Sequence, residues 1–213
     1  MRIIIAGGHG KIALRLAARL GSGAVGLVRN PAHVHDVEAT GAEAVVCDLE
    51  QATAEDVAEI VRGADAVIFA AGAGPGSGSA RKDTVDRGAA VLMADAAERA
   101  GVGRFIQISS MGAGRSPRAG SDEVWAAYIK AKTEAEDDLR RRELDWTILR
   151  PGRLTDDPGT GLVRLAPSVP PGSVPRDDVA AVVMALLEAP GTRHQALELV
   201  SGDTPIISFV ATE

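Results

Sequence analysis

Apolar and polar positions follow two rhythms along this chain. Short unbroken runs rich in Val, Ile and Leu alternate with longer stretches in which apolar residues return every three or four positions. The first rhythm belongs to strands buried on both faces, the second to amphipathic helices. Arg2–Ala6 predicts a first strand, and Lys11–Leu20 a helix that turns Ile12, Ala13, Leu16, Ala17 and Leu20 to one side. Ala24–Val28 and Ala44–Cys47 predict the next two strands. Thr53–Arg62 is then a helix with Val57, Ile60 and Val61 inward, followed by a fourth strand at Ala66–Ala71. Thr84–Ala100 predicts a long helix (Val85, Leu92 and Ala96 inward) that Gly101 stops. Arg104–Ile108, the helix Asp122–Glu143 and the strand Asp145–Leu149 come next, and Asp177–Glu188 and Ala196–Val200 add a last helix and a last strand.

Strand and helix in alternation imply an α/β fold. Right-handed crossovers order its parallel strands 3-2-1-4-5-6, doubly wound, with helices on both faces and a short C-terminal strand beyond. Six of the 11 prolines lie between Pro151 and Pro175, so residues 153–176 are expected as a small irregular region within one domain spanning 1–213.

The junction of first strand and first helix carries the chemistry. Gly7 can take the backbone angles of a tight turn, Gly10 lets a pyrophosphate approach the main chain, and Ala13 permits close helix–strand packing. The helix N-terminus, with unpaired N–H groups and a positive dipole end, then faces the phosphates. This Gly-x-x-Gly-x-x-Ala turn reads as the opening of a Rossmann-type dinucleotide-binding sheet. The second strand ends in Arg29-Asn30-Pro31, where an NAD enzyme commonly carries an acid for the ribose hydroxyls. A guanidinium there can grip a ribose 2′-phosphate through two charge-assisted hydrogen bonds, which favours NADP(H) over NAD(H). A solvated surface arginine is the plain alternative. Asp48 follows the third strand, placed to accept from the adenine amino group. Cys47 reads as a small core residue, since no base lies near it in sequence. Ala73–Ser79, glycine- and serine-rich, is expected as a mobile loop over the cofactor.

Composition narrows the function classes. A chain of 213 residues with 46% hydrophobic and 24% charged residues is long enough for a substantial core. Its net charge of -6 argues against nucleic-acid or anionic-membrane partners, which need clustered cations. One cysteine permits no internal disulfide and fits a reducing cytoplasm. No secretory h-region and no bilayer-length apolar stretch is seen. The four histidines show no metal-ligand spacing, so no metal is expected. The expectation is a cytoplasmic monomer or homodimer acting on a small molecule.

Tyr128 and Lys132 are four residues apart on the predicted Asp122–Glu143 helix and share one face, which Ala131, Ala135 and Leu139 carry inward. A phenol is a poor base at neutral pH, but a neighbouring ammonium favours its ionised form. Lys132 could also hold ribose hydroxyls, and Ser110, closing the fifth strand, could hydrogen-bond a reacting carbonyl or hydroxyl. The alternative is that Tyr128 is a packing aromatic.

Together Gly7-x-x-Gly10, Arg29-Asn30-Pro31, Asp48, Ser109-Ser110, Tyr128-x-x-x-Lys132 and Arg150-Pro151-Gly152 resemble the short-chain dehydrogenase/reductase superfamily. Within it, the chain is most similar to the atypical single-domain NAD(P)-binding group related to NmrA-like and biliverdin/flavin reductase proteins. Leu154–Gly159 and Arg176–Ala180 resemble further signatures of that group. The resemblance implies catalysis by Ser110, Tyr128 and Lys132, with Asp86 where the superfamily carries an asparagine. Ionised, Asp86 cannot donate, so a proton relay through it would differ. The implied cofactor residues are Gly7, Gly8, His9, Gly10, Lys11, Ile12, Arg29, Asn30, Asp48, Leu49, Ala70, Ala71, Gly72, Ser109, Lys132, Pro151 and Gly152. The functions so implied are an NADP(H)-dependent reductase of a small carbonyl, quinone or flavin-like acceptor, or a binding protein that senses NADP(H). A sugar-nucleotide epimerase or dehydratase is a third, disfavoured by the short chain left after Gly152.

Overall fold

The computed structural model describes residues 1–74, 76–115 and 122–209; Pro75 of the expected loop lies outside them. β1 (Ile3–Ala6), β2 (Ala24–Val28), β3 (Glu43–Val46), β4 (Ala66–Phe69), β5 (Arg104–Ile108) and β6 (Asp145–Pro151) are parallel, in the order β3-β2-β1-β4-β5-β6 that the sequence pattern predicts. After β6 the chain adds β7 (Arg153–Thr155), β8 (Leu162–Ala166), β9 (Ser173–Pro175), β10 (Gln195–Ser201) and β11 (Thr204–Pro205). β10 lies parallel beside β6, β8 runs antiparallel to β10, and β11 antiparallel to β8. β7 and β9 form a separate two-stranded pair.

The pleat explains why a central strand such as β1 is apolar throughout. Successive side chains of a strand point to opposite faces. Ile3 and Ile5 accordingly enter one core with Leu16, Ala17, Val179 and Val183, whereas Ile4 and Ala6 enter the other with Val57, Met93 and Ala135. All four strand residues are fully buried, and each isoleucine side chain so removed from water contributes roughly 1.5–3 kcal/mol. The first face is covered by α1 (Lys11–Leu20), α2 (Val34–Glu38) and a late helix, the second by α3 (Ala54–Val61) and two long helices.

The helix expected over 84–100 begins differently. A single turn α4 (Ser79–Arg81) leads into a π-helical stretch, Lys82–Gly88, before α5 (Ala89–Ala100), which Gly101 ends in the left-handed region at φ 72°. α6 (Glu123–Leu139) starts one residue late because the Asp122 carboxylate caps it, accepting from Trp125 N at 3.0 Å. α7 (Arg176–Glu188) matches its expectation closely. The fourth strand stops at Phe69, short of the expected Ala71.

Residues 153–176 depart most from expectation, since β7, β8 and β9 lie there instead of irregular chain. Fully buried Asp178 holds the approach to β8, accepting from Thr160 N at 3.0 Å and Gly161 N at 2.9 Å. The strand expected at Ala196–Val200 is β10, longer than predicted and inside the sheet, and the unpredicted β11 forms the sheet's end. No helix among the described residues is long and apolar enough to cross a membrane.

Candidate functional site

The turn after β1 is built for close approach. Gly7 has φ 78°, and a Cβ there would stand 2.7 Å from Ala71 Cα, so the loop after β4 packs directly on its backbone. Gly8 meets Gly26 in the same way, 2.8 Å from its Cα. Gly10 N donates to Gly7 O at 2.8 Å, and Gly10 leads into α1 with no side-chain cap and no acid in the first turn. The first N–H groups of α1 are thus left for an anion. Lys11 reaches outward to Asp156 at 2.6 Å, while Ile12 packs against the core.

A cavity of 380 Å³ opens at the C-terminal ends of the strands. Gly7, His9, Gly10, Arg29, Asn30, Asp48, Leu49, Ala70, Ala71 and Gly72 line it, ten of the residues expected to hold a cofactor. Asp48 accepts from Glu50 N at 3.0 Å, and Asn30 caps the following turn by accepting from Ala32 N at 3.0 Å. The His9 ring stacks on His33, centroids 3.7 Å apart, with its Nε2 2.8 Å from Asp36. Cys47 is half-buried at the wall; burial, with Asp48 and Asp56 nearby, pushes its thiol up, away from nucleophilic use.

Glu50 has no counterpart among the residues expected from sequence. Its Oε2 accepts from Arg29 Nη1 at 2.8 Å and from Arg81 Nη2 at 2.7 Å, and its Oε1 from the Thr84 hydroxyl at 2.7 Å. The Thr84 hydroxyl first, then the two guanidiniums, holds this carboxyl below the usual range. The signal available in sequence was an acid directly after Asp48-Leu49, and nothing local assigns it two arginines from distant elements.

The catalytic-looking residues converge from two helical segments. Lys132 Nζ lies 3.1 Å from Asp86 Oδ1, both side chains buried, and donates to Ile108 O at 3.3 Å. Asp86 Oδ2 accepts from Ala73 N at 3.2 Å, and Gly72 leaves room for the carboxylate. The half-buried Tyr128 ring has Lys132 Nζ 5.9 Å and Lys82 Nζ 5.3 Å from its centroid, with the Trp125 ring at 5.4 Å. Lys82 is itself buried and donates to Gly74 O at 2.8 Å. Asp86 therefore orients the lysine as an ion-pair partner.

Ser109 and Ser110 part company. Among the described residues, the half-buried Ser110 hydroxyl makes a long contact, 3.4 Å, with Met111 O. The hydroxyl of Ser109, one of the expected cofactor residues, donates to buried Glu136 at 2.6 Å. Glu136 also receives Arg140 and Arg150, which ties α6 to the end of β6. Pro151 and Gly152 act through main chain, with Met111 N donating to Pro151 O at 2.9 Å and Gly152 N to Leu199 O at 2.8 Å.

Fold and site together define a Rossmann-type NAD(P)-binding protein, consistent with the resemblance to atypical short-chain dehydrogenases/reductases. The family described as NAD(P)H-binding matches residues 7–190, and the chain belongs to it. It is 37% identical over 210 residues to a Bacillus subtilis protein named uncharacterized sugar epimerase YhfK, covering 97% of each chain. Among solved structures, a Bacillus halodurans protein described as a candidate NAD-dependent epimerase/dehydratase superposes with a TM-score of 0.90 at 34% identity, over 99% of both chains. ChuY of Escherichia coli O157:H7, named an anaerobillin reductase, gives 0.77 at 28% identity, over 94% of this chain and 97% of its own.

Proposed function

We propose that this chain is a cytoplasmic NADP(H)-dependent oxidoreductase that reduces a small carbonyl, quinone or flavin-like acceptor. The observation that carries the reading is the buried Lys132–Asp86 pair, which holds an ammonium 5.9 Å from the Tyr128 ring centre while Asp86 accepts from Ala73 N at the wall of the groove. The residues present fit a dinucleotide: Gly7 and Gly10 keep the turn bare of side chains, and α1 offers uncapped N–H groups. When bound, the nicotinamide supplies the hydride. Tyr128 gives its phenol proton to the acceptor oxygen, and the Lys132 ammonium balances the phenolate left behind. Asp86 keeps that ammonium in place, and Ser110 can hydrogen-bond the reacting oxygen. Arg29 supports the preference for the 2′-phosphate.

The test is NADPH oxidation by purified protein against panels of aldehydes, quinones and flavins, with sugar nucleotides as the epimerase arm. Turnover of one of the first three panels is expected; NADPH binding without turnover would favour a sensor. Arg29→Glu is expected to weaken NADPH binding by roughly tenfold to a hundredfold or more and to spare NADH. Titration calorimetry showing equal losses would overturn the assigned preference.

A further inference from the structure

Tyr128 has a second ammonium beside it that the reaction above leaves unused. Lys82 Nζ lies 5.3 Å from the ring centroid, nearer than Lys132 Nζ at 5.9 Å. Lys82 opens the π-helical stretch, an irregularity that is rare in helices and recurs at functional sites. Around this contact the other charges are paired. Asp86 meets Lys132, Asp83 meets Arg87, Glu134 meets Arg87 and Lys130, and Arg81 meets Glu50. Lys82 makes no ion pair among the described residues; its hydrogen bond goes to the Gly74 carbonyl at 2.8 Å, and only 8% of the residue is exposed. An ammonium buried without a counter-ion is costly, so a negative charge arising beside it is favoured. The ring of a phenolate, richer in electrons than that of a phenol, offers such a charge to a cation over its face.

We propose that Lys82 is a second cation for the Tyr128 phenolate, joining Lys132 to make the phenol a readier proton donor. The inference rests on the donor role given to Tyr128 above and adds a residue from outside its helix. Lys82 works through Tyr128, as a positioning residue for charge. A Lys82 that only straps the loop at Gly74 would alter stability and leave the phenol as it is.

Because Tyr128 is the only tyrosine, the ultraviolet band of tyrosinate reports its ionisation alone in the full chain. In alkaline titration, with circular dichroism confirming the fold at each pH, the band is expected to rise about one pH unit higher in Lys82→Met than in the parent, the mark of a roughly tenfold weaker acid. Lys82→Arg keeps its charge throughout the titration and should follow the parent. A parental midpoint in Lys82→Met, or an equal displacement in Lys82→Arg, would overturn the second cation. Should Lys82→Met not fold, the neutral Lys82→Gln, which can still donate to Gly74 O, carries the same expectation. With a carbonyl substrate, activity falls at high pH as the donor phenol ionises, and that fall should move upward with the band. If the band moves and no acceptor is turned over, the second cation stands and the oxidoreductase reading fails. If acceptors are reduced and the band stays, the reading stands and the second cation fails.

Discussion

Tyr128 is the only tyrosine in the chain, and its surroundings divide its chemistry from its packing. Its ring rests against Trp125, while the charged groups near it, Lys82 and Lys132, are both buried and both held by backbone carbonyls. Phe keeps the ring contacts and removes only the hydroxyl. Tyr128→Phe is therefore expected to lower turnover of a carbonyl substrate by a factor on the order of 10² to 10⁴ with NADPH affinity nearly unchanged. Equal steady-state rates would make Tyr128 a packing residue. Lys132→Met should differ, weakening turnover and nucleotide binding together. It also leaves Asp86 buried without its counter-charge, a loss of about 3–5 kcal/mol that a lowered melting temperature would report. The spacing of Tyr128 and Lys132 was legible because both lie on one helix. Glu50, Arg81 and the Ser109–Glu136 bond were not, since each depends on segments far apart in sequence meeting at the strand ends.

At the scale of elements, the β1 turn gives two of its glycines, Gly7 and Gly10, opposite roles. Gly7 has positive φ and the Ala71 backbone against it, so any side chain there strains the fold. Gly10 has φ -64°, which other residues adopt, and a Cβ there would press on the Gly7 carbonyl oxygen at 3.1 Å, a contact the turn must relax by a few tenths of an ångström to admit. Gly10→Val is accordingly expected to abolish NADPH binding while the protein stays folded, with a modestly lowered melting temperature. A variant with parental affinity would place the nucleotide elsewhere. The same physics decided which elements could be read in advance. Continuous apolar runs announced β1, β2 and β4, because both faces of a central parallel strand are buried, while the edge strand β3 was read from Ala44-Val45-Val46 alone. β8 has Val163 as its only fully buried residue, and β7 and β9 are three residues each with Arg153 and Pro175 among them, too short for a periodic signal. The π-helical stretch escaped notice for a related reason, since Lys82, Asp83, Asp86 and Arg87 leave few apolar positions to set a period.

Across the whole molecule, that stretch and the turn before it join two distant duties. Within residues 79–88, Arg81 meets Glu50 beside Arg29, and Asp86 meets Lys132 beside Tyr128. One short length of chain thus touches both the groove that Arg29 lines and the surroundings of Tyr128. A nucleotide seated in that groove would meet the same length of chain that positions Asp86, so binding of the first ligand is expected to prepare the seat of the second. The consequence is a sequence in time. NADPH is expected to bind first and NADP⁺ to leave last, with NADP⁺ inhibiting competitively against NADPH and noncompetitively against the acceptor. Calorimetry should likewise find the acceptor binding weakly to the nucleotide-free protein and more tightly once NADP⁺ is present. An acceptor indifferent to the nucleotide would show that the two ends work independently; dependence would make residues 79–88 the clock of the reaction cycle.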